Sequence, residues 1–421
     1  MSRVVVRNAR LGEGDEPHDL YFKDGLIEGL DLGGSTDEFF EAEGNLALPA
    51  FIDLHAHLRE PGQVVKEDLS TGLAAATAGG YGTVISMANT EPPIDEPGLV
   101  AELITRSKRL GKARLRPAAS LSKGMAGNQL TDFAALKQAG AVMITDDGIP
   151  VEDSHLMRRA CEYAAELDLV IQTHSEDPSL RGDGVINEGE VSQRLGLPGN
   201  PISAEVIMIA RDCEIAHFTG GHVHIAHVSS RRGMEVIRAY KAEGTKVTAE
   251  VTPHHLTLTD KISENFNPIH KVAPPLRREE DVKYLQNILN SGEVDCIGTD
   301  HAPHTLAEKQ RDFLEAPFGI ANIEVAFPLL YTRLVTTGIL KLTQLVHLLT
   351  TGPAKVMGWP KPNLQPGSPA DVTLVDLDNK RAVKPEAFKS RAKFSPWDGD
   401  NLMGWPFMTF VRGQQAYSRD T

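Results

Sequence analysis

Ala50-Phe51-Ile52-Asp53-Leu54-His55-Ala56-His57, continued by Leu58-Arg59-Glu60-Pro61, reads as a buried β-strand that runs into reactive chemistry at its carboxyl end. Side chains two apart in a strand point to the same side, so His55 and His57 can place two imidazoles on one metal ion. Arg59, just past the strand, offers a cationic fork for a carboxylate beside that metal.

Moving outward, seven more apolar runs have the texture of strands: 82 to 88, 114 to 119, 140 to 145, 169 to 174, 222 to 227, 247 to 252 and 294 to 300. Segments between them, such as Lys66 to Ala78, Glu152 to Leu167, Ala204 to His217 and Arg278 to Asn290, carry apolar residues at three- and four-residue spacing, as amphipathic helices do. Eightfold alternation predicts an α/β fold, a (β/α)8 TIM-like barrel with an outer ring of helices. Such a barrel needs ~250 residues, and the chain has 421. Residues 3 to 48 and the stretch after 370 are instead made of short β-rich runs and Gly or Asp turns, which predicts a small antiparallel sheet at each end. Neither end has enough apolar material to stand alone. We therefore expect residues 1–49 and 362–421 to form one composite β-rich domain beside a barrel of residues 50–361.

Composition sets limits on partners. A net charge of −14 argues against nucleic acid and anionic membranes, which reward clustered Lys and Arg. Cys161, Cys213 and Cys296 are widely spaced in core-like segments, which suggests a reducing cytoplasm without disulfides. No run approaches the ~18 apolar residues of a membrane span, and no signal peptide is expected.

Active sites of parallel barrels lie at the carboxyl ends of the strands. Five predicted strands end in polar residues there: His55-Ala56-His57, Asp146-Asp147-Gly148, His174-Ser175-Glu176-Asp177, His227, and Asp300-His301-Ala302-Pro303-His304. Four histidines and two carboxylates, one of them from the Asp146-Asp147 pair, make a ligand set for one or two divalent ions. Strand alternation places His227 on the face of Val223 and Ile225, and His222 and His224 on the other, so those two read as structural. His254 and His255 are expected near the site without binding metal. A bound divalent ion lowers the pKa of its water to roughly 7 and polarises a carbonyl, which suits amide hydrolysis. Asp300 is placed to take the proton from the attacking water and hand it to the leaving nitrogen. Arg59 and Asn89, with His304 from a loop, are candidates for a substrate carboxylate, and the charged stretch from His304 to Gly319 is expected to act as a mobile lid.

The motifs together are specific. His-Ala-His-Leu-Arg-Glu-Pro-Gly (55–62), Met-Ala-Asn-Thr (87–90), Asp-Asp-Gly (146–148), His-Ser-Glu-Asp (174–177), Gly-His-Val-His-Ile-Ala-His-Val-Ser (221–229) and Gly-Thr-Asp-His-Ala-Pro-His (298–304) resemble the long-chain bacterial dihydroorotases of the amidohydrolase superfamily. Gly-Ser-Pro-Ala-Asp at 367–371 and Ser-Pro-Trp-Asp-Gly at 395–399 extend the resemblance to nearly the whole chain. It implies interconversion of N-carbamoyl-L-aspartate and L-dihydroorotate in pyrimidine (UMP) synthesis. It also implies zinc, one or two ions, on His55, His57, Asp147, His174, His227 and Asp300, with Asp300 the acid/base. Carried over likewise, His57, Arg59, Asn89, His304, Phe318 and Gly319 are substrate contacts.

Two features bear on the choice of relative. Related hydantoinases, allantoinases and shorter dihydroorotases bridge their metals with a carboxylated lysine, which the fourth-strand segment Val142-Met143-Ile144-Thr145-Asp146-Asp147-Gly148 lacks. Lys137, on the preceding helix, is a poor substitute; a carboxylate from Asp147 could bridge two ions instead, or sit beside one. Where long-chain dihydroorotases commonly have Asn before Pro-Pro-Leu-Arg, this chain has Ala273. Another cyclic-amide hydrolase, or a non-catalytic partner of aspartate transcarbamoylase, is the alternative reading. Sequence leaves open a homo-oligomer and a complex with that transcarbamoylase.

Overall fold

In the computed structural model, which describes residues 3–419, eight parallel strands form one sheet that curls into a nearly closed barrel. They span Phe51–Ala56, Tyr81–Ser86, Arg114–Ala119, Met143–Thr145, Val170–Thr173, His222–Ile225, Val247–Val251 and Cys296–Ile297, in sequence order around the sheet. The first and last strands meet through a parallel bridge between Ala56 and His301, where His57 N–H donates to the His301 carbonyl at 2.8 Å. All eight expected strands are present, the fourth and eighth cut well short of their apolar runs. Gly140, at φ 111°, ends the helix Phe133–Ala139 and delays the fourth strand to Met143. The eighth stops at Ile297 because Asp53 accepts Thr299 N–H at 3.0 Å and Thr299 Oγ–H at 2.5 Å, while Asp300 turns into the left-handed region at φ 46°. That turn aims Asp300 at the barrel mouth.

Helices form where the spacing indicated. Leu69–Ala78 is capped by Asp68, which accepts Thr71 N–H at 2.8 Å, and Ser154–Glu166 by Asp153, which accepts His155 N–H at 2.8 Å. The long helix Ile202–Thr219 buries Ile209, Cys213 and Ala216 against the sheet strands, in one core with Val223 and Ile225. The expected helix at 278–290 is regular from Glu279 to Ile288.

Outside the barrel, Arg3–Ala9, His18–Lys23, Leu26–Leu30 and Glu38–Glu41 make a four-stranded sheet. It is not wholly antiparallel as expected, because Glu38–Glu41 runs parallel to Arg3–Ala9. The connection through residues 31–37 crosses back to the far edge of the first strand, which a hairpin cannot do. A second sheet joins the chain ends: Leu46–Pro49 pairs antiparallel with Val372–Asp376, which pairs with Trp405–Val411, and that with Gln414–Ser418. Val4, Val6, Leu20 and Phe22 share an apolar core with Val372, Leu374 and Phe410, and Phe22 meets Phe410 edge-on at 5.4 Å. No described helix is long and apolar enough to cross a membrane.

Candidate metal centre and active site

The strand ends bring His55, His57, Asp147, His174, His227 and Asp300 together, all buried at the barrel mouth. Asp147 lies among the four imidazoles. Its Oδ1 is 3.4 Å from His55 Nε2, 3.6 Å from His227 Nε2 and 3.8 Å from His174 Nδ1, and its Oδ2 is 3.5 Å from His57 Nε2. Asp300 Oδ1 stands 3.1 Å from His57 Nε2 and 3.6 Å from His55 Nε2. Zinc–nitrogen and zinc–oxygen bonds near 2.1 Å set tetrahedral ligand atoms about 3.3 Å apart, so these separations suit a shared ion. Two overlapping triads meet the spacing, His55 with His57 and Asp300, and His55 with Asp147 and His227.

The donor set fits a cation for a second reason. His55 Nε2 and Asp147 Oδ1 are buried with no hydrogen-bond partner, and leaving such groups unpaired costs several kcal/mol unless something coordinates them. His174 Nδ1 and His227 Nε2 face each other at 2.9 Å, as two lone pairs turned toward one ion would. Burial opposes ionisation of Asp147 and Asp300, yet the imidazoles hold both carboxyls below the usual range.

Three imidazoles are oriented from behind. His55 Nδ1 donates to Glu250 Oε1 at 2.7 Å, His57 Nδ1 to Asn89 Oδ1 at 2.9 Å, and His174 Nε2 lies 3.4 Å from Glu176 Oε2. Each contact leaves the other ring nitrogen facing the cluster, as metal-binding histidines require. Burial pushes the Glu250 carboxyl up, but His55 and His224 outweigh it and hold it at about 2. Gly298 is what lets Glu250 in, since a Cβ there would stand 2.3 Å from its carboxylate oxygen.

The mouth opens into a cavity of about 300 Å³ lined by His57, Arg59, Asn89, Ala273, His304 and Phe318, among others. Arg59 sits there with Nε donating to the Pro303 carbonyl at 3.1 Å and a terminal nitrogen 3.3 Å from His304 Nε2. No carboxylate among the described residues is within ion-pair distance of it. Burial pushes its guanidinium down to about 10. The neighbouring His304 is held neutral, first by burial and then by the charge of Arg59.

Comparison with known proteins bears on what such a site does. A family described as Dihydro-orotase-like matches residues 44–233. A dihydroorotase of Deinococcus radiodurans is 51% identical over 99% of this chain and 100% of its own length. A dihydroorotase of Thermus aquaticus is 47% identical over 98% of each chain.

The chain belongs to the dihydroorotase family. Among solved structures, an L-hydantoinase (dihydropyrimidinase) from Arthrobacter aurescens superposes with a TM-score of 0.88 at 25% identity, covering 100% of this chain and 97% of that one. A dihydropyrimidinase from Brevibacillus agri shares the fold at a TM-score of 0.82, 21% identity, and 99% and 95% coverage. Family and fold together make the protein a cyclic amidohydrolase.

Against this family background, several sequence expectations gain a position in space. Asp146 turns away from the cluster, accepting Leu121 N–H at 2.8 Å and Ser122 N–H at 3.1 Å, so Asp147 is the residue of the pair at the centre. Lys137 lies on its helix, donating to the Leu167 carbonyl, and no lysine lines the cavity. Asn89 is engaged twice, by His57 and by the Asp147 carbonyl at 3.2 Å. His254 Nε2 is 4.0 Å from Asp300, while His255 is tied to Thr252 and the Pro274 carbonyl.

The strand-face reading of the sixth strand needs correction. His224 bonds Thr248 and lies 3.3 Å from Glu250, beneath the metal cluster, whereas Val223 and Ile225 pack toward the helices. His227 reaches the site because the strand has ended at Ile225 and the backbone turns left-handed at φ 36°, which alternation does not describe. Sequence reading also passed over Glu250 and Glu176. Glu250 was detectable as a charged residue in an otherwise apolar strand, Val247-Thr248-Ala249-Glu250-Val251.

The segment expected to be a lid is folded over the cavity. His304 Nε2–H donates to the Phe318 carbonyl at 2.8 Å, and Gly319 N–H to the Lys271 carbonyl at 2.9 Å. At φ 141°, Gly319 brings its backbone so close that a Cβ would be 2.6 Å from the Ala302 carbonyl oxygen. Lys309 Nζ donates to the Pro268, Lys271 and Pro317 carbonyls, and Lys271 Nζ to those of Phe313 and Leu314.

Proposed function

We propose that this protein is a zinc-dependent dihydroorotase, interconverting N-carbamoyl-L-aspartate and L-dihydroorotate in the cytoplasmic synthesis of pyrimidines. The observation that carries the reading is Arg59: a buried guanidinium without a carboxylate partner, facing a small cavity beside a six-residue metal-ligand cluster. A buried cation is costly unless paired, and a carboxylate-bearing ring supplies the pair. The lack of a lysine in the cavity supports the same choice over hydantoinase-type chemistry.

His55, His57, Asp147, His174, His227 and Asp300 would hold one or two zinc ions. When bound, zinc supplies an acidified water and polarises the ring carbonyl. Asp300, 3.1 Å from His57 and adjacent to the cavity, accepts the proton of the attacking water and returns it to the ring nitrogen as the amide bond breaks. In the reverse direction it takes the proton from the ureido nitrogen that closes the ring. Arg59, His304 and the Phe318–Gly319 backbone grip the substrate, while Asn89 steadies His57 and offers its second amide hydrogen.

Ring opening of L-dihydroorotate, hydantoin and allantoin, assayed side by side on zinc-loaded protein, tests the reading. Dihydroorotate is expected to be the preferred substrate, and the Asp300→Ala variant to lose activity while keeping its fold. Turnover of hydantoin or allantoin alone would overturn it.

A further inference from the structure

Arg181 ends the short helix Pro178–Arg181 and lines the same cavity as Arg59. Its buried Nε donates no hydrogen bond to any described residue but forms an ion pair with Glu176, 3.3 Å away. Glu176 is shared, since its oxygens also accept from Asn200 at 2.6 Å and lie 3.4 Å from His174 Nε2. Its guanidinium carbon also lies over the Phe318 ring, 5.0 Å from the centre, and Lys271 Nζ lies over the same ring at 4.5 Å. Phe318 thus touches the surroundings of both arginines. Its carbonyl holds His304, which neighbours Arg59, and its ring carries Arg181. Ala273, on the same cavity wall, carries only a methyl group.

We propose that Arg181 is a specificity-determining residue that grips the substrate carboxylate jointly with Arg59, one from each side of Phe318. This rests on the dihydroorotase reading above. A guanidinium has five N–H donors, and a carboxylate accepts from two forks at once. Contact with Phe318 and Glu176 restrains the side chain, so less rotamer freedom is lost on binding. Arg181 therefore separates carboxylate-bearing rings from neutral ones.

Steady-state kinetics of Arg181→Met and Arg181→Lys on zinc-loaded protein test this, with L-dihydroorotate against dihydrouracil, the same ring without the carboxylate. Arg181→Met is expected to raise KM for dihydroorotate about tenfold, the low end for one charge-assisted hydrogen bond. It should leave kcat within about twofold, zinc content and any dihydrouracil turnover unchanged, and Arg181→Lys should recover part of the loss. An unchanged KM would overturn the proposal. So would a fall in kcat or zinc content, which would mean that Arg181 acts through Glu176 and His174. Equilibrium dialysis with orotate, a carboxylate-bearing analogue, separates this from the reaction itself. If the parent protein fails to open dihydroorotate, the functional reading falls, while a tenfold weaker orotate affinity in Arg181→Met would still uphold the carboxylate grip.

Discussion

Glu250 shows how one side chain can govern a site it does not enter. It fixes the ring of His55 through a 2.7 Å hydrogen bond and thereby decides which nitrogen faces the cluster. Glu250→Gln keeps the size but can present the wrong partner to Nδ1–H. Loss of such a supporting carboxylate typically weakens metal affinity 10- to 100-fold. Competition with a chromogenic chelator is expected to show that drop with unchanged circular dichroism; unchanged affinity would assign Glu250 to packing alone. At this scale the sequence was most readable where chemistry is unusual for its setting. Histidines and aspartates at the ends of apolar runs stand out, and five of the six cluster residues could be named from strand ends. The choice of Asp147 over Asp146 needed the family resemblance or the fold, because adjacent residues differ only in direction.

At the scale of elements, the segment 304–319 is held down by two lysines that donate to five backbone carbonyls. Lys309 is nearly fully buried, and carbonyl oxygens are its only hydrogen-bond partners among the described residues. Lys309→Met keeps the stem and removes the donors. Hydrogen exchange in 304–319 is expected to speed up by at least tenfold relative to the parent, roughly one to two lost net hydrogen bonds, with KM raised because Phe318 and Gly319 shift. Unaltered exchange would mean that His304 and Gly319 suffice to hold the segment. Neither lysine was legible as a clamp, since both precede or sit within polar stretches and their acceptors lie 8 to 43 residues away in the chain, meeting them only after folding. Strand and helix positions were legible, because burial on both faces of a parallel sheet leaves continuous apolar runs. Ends of strands were less so: the early stop at Ile297 depends on Asp53, far off in the chain.

For the whole molecule, Glu324 joins the barrel to the C-terminal segment by accepting Lys389 N–H and Ser390 N–H, each at 2.9 Å. Burial pushes its carboxyl up to about 7 against these donors. Between pH ~4.5 and 7 the folded protein therefore holds a proton that the unfolded chain releases, so this residue's contribution falls as pH rises through that window. Glu324→Gln should remove the dependence. Denaturation midpoints of the two proteins are expected to converge or cross by up to about 3 kcal/mol between pH 4.5 and 7, and parallel curves would contradict the assignment. Metal removal acts on the same scale: without the proposed zinc, four imidazoles and two carboxylates crowd together with no cation, and ligand linkage predicts a loss of about 4 kcal/mol when the free ion stands near 1,000 times its Kd. Calorimetry with and without chelator is expected to show a lower Tm, restored by zinc; an unchanged Tm would argue that the cluster binds no metal.

Alternating apolar runs by themselves determined the barrel, because each parallel strand must be buried on both faces and each crossover helix on one. The same runs located the site, since histidines and carboxylates gather at their ends, although Asp53, His224 and Glu250 lie within strands. Tertiary structure alone decided the rest. Left-handed turns at His227 and Asp300 re-aim side chains that alternation would send elsewhere, Glu250 meets His55 across 195 residues, and Arg181 meets Phe318 through a folded loop. Local periodicity specifies which face is buried, but contacts between distant strand ends arise only when the sheet closes, and the direction of each reactive atom is set there.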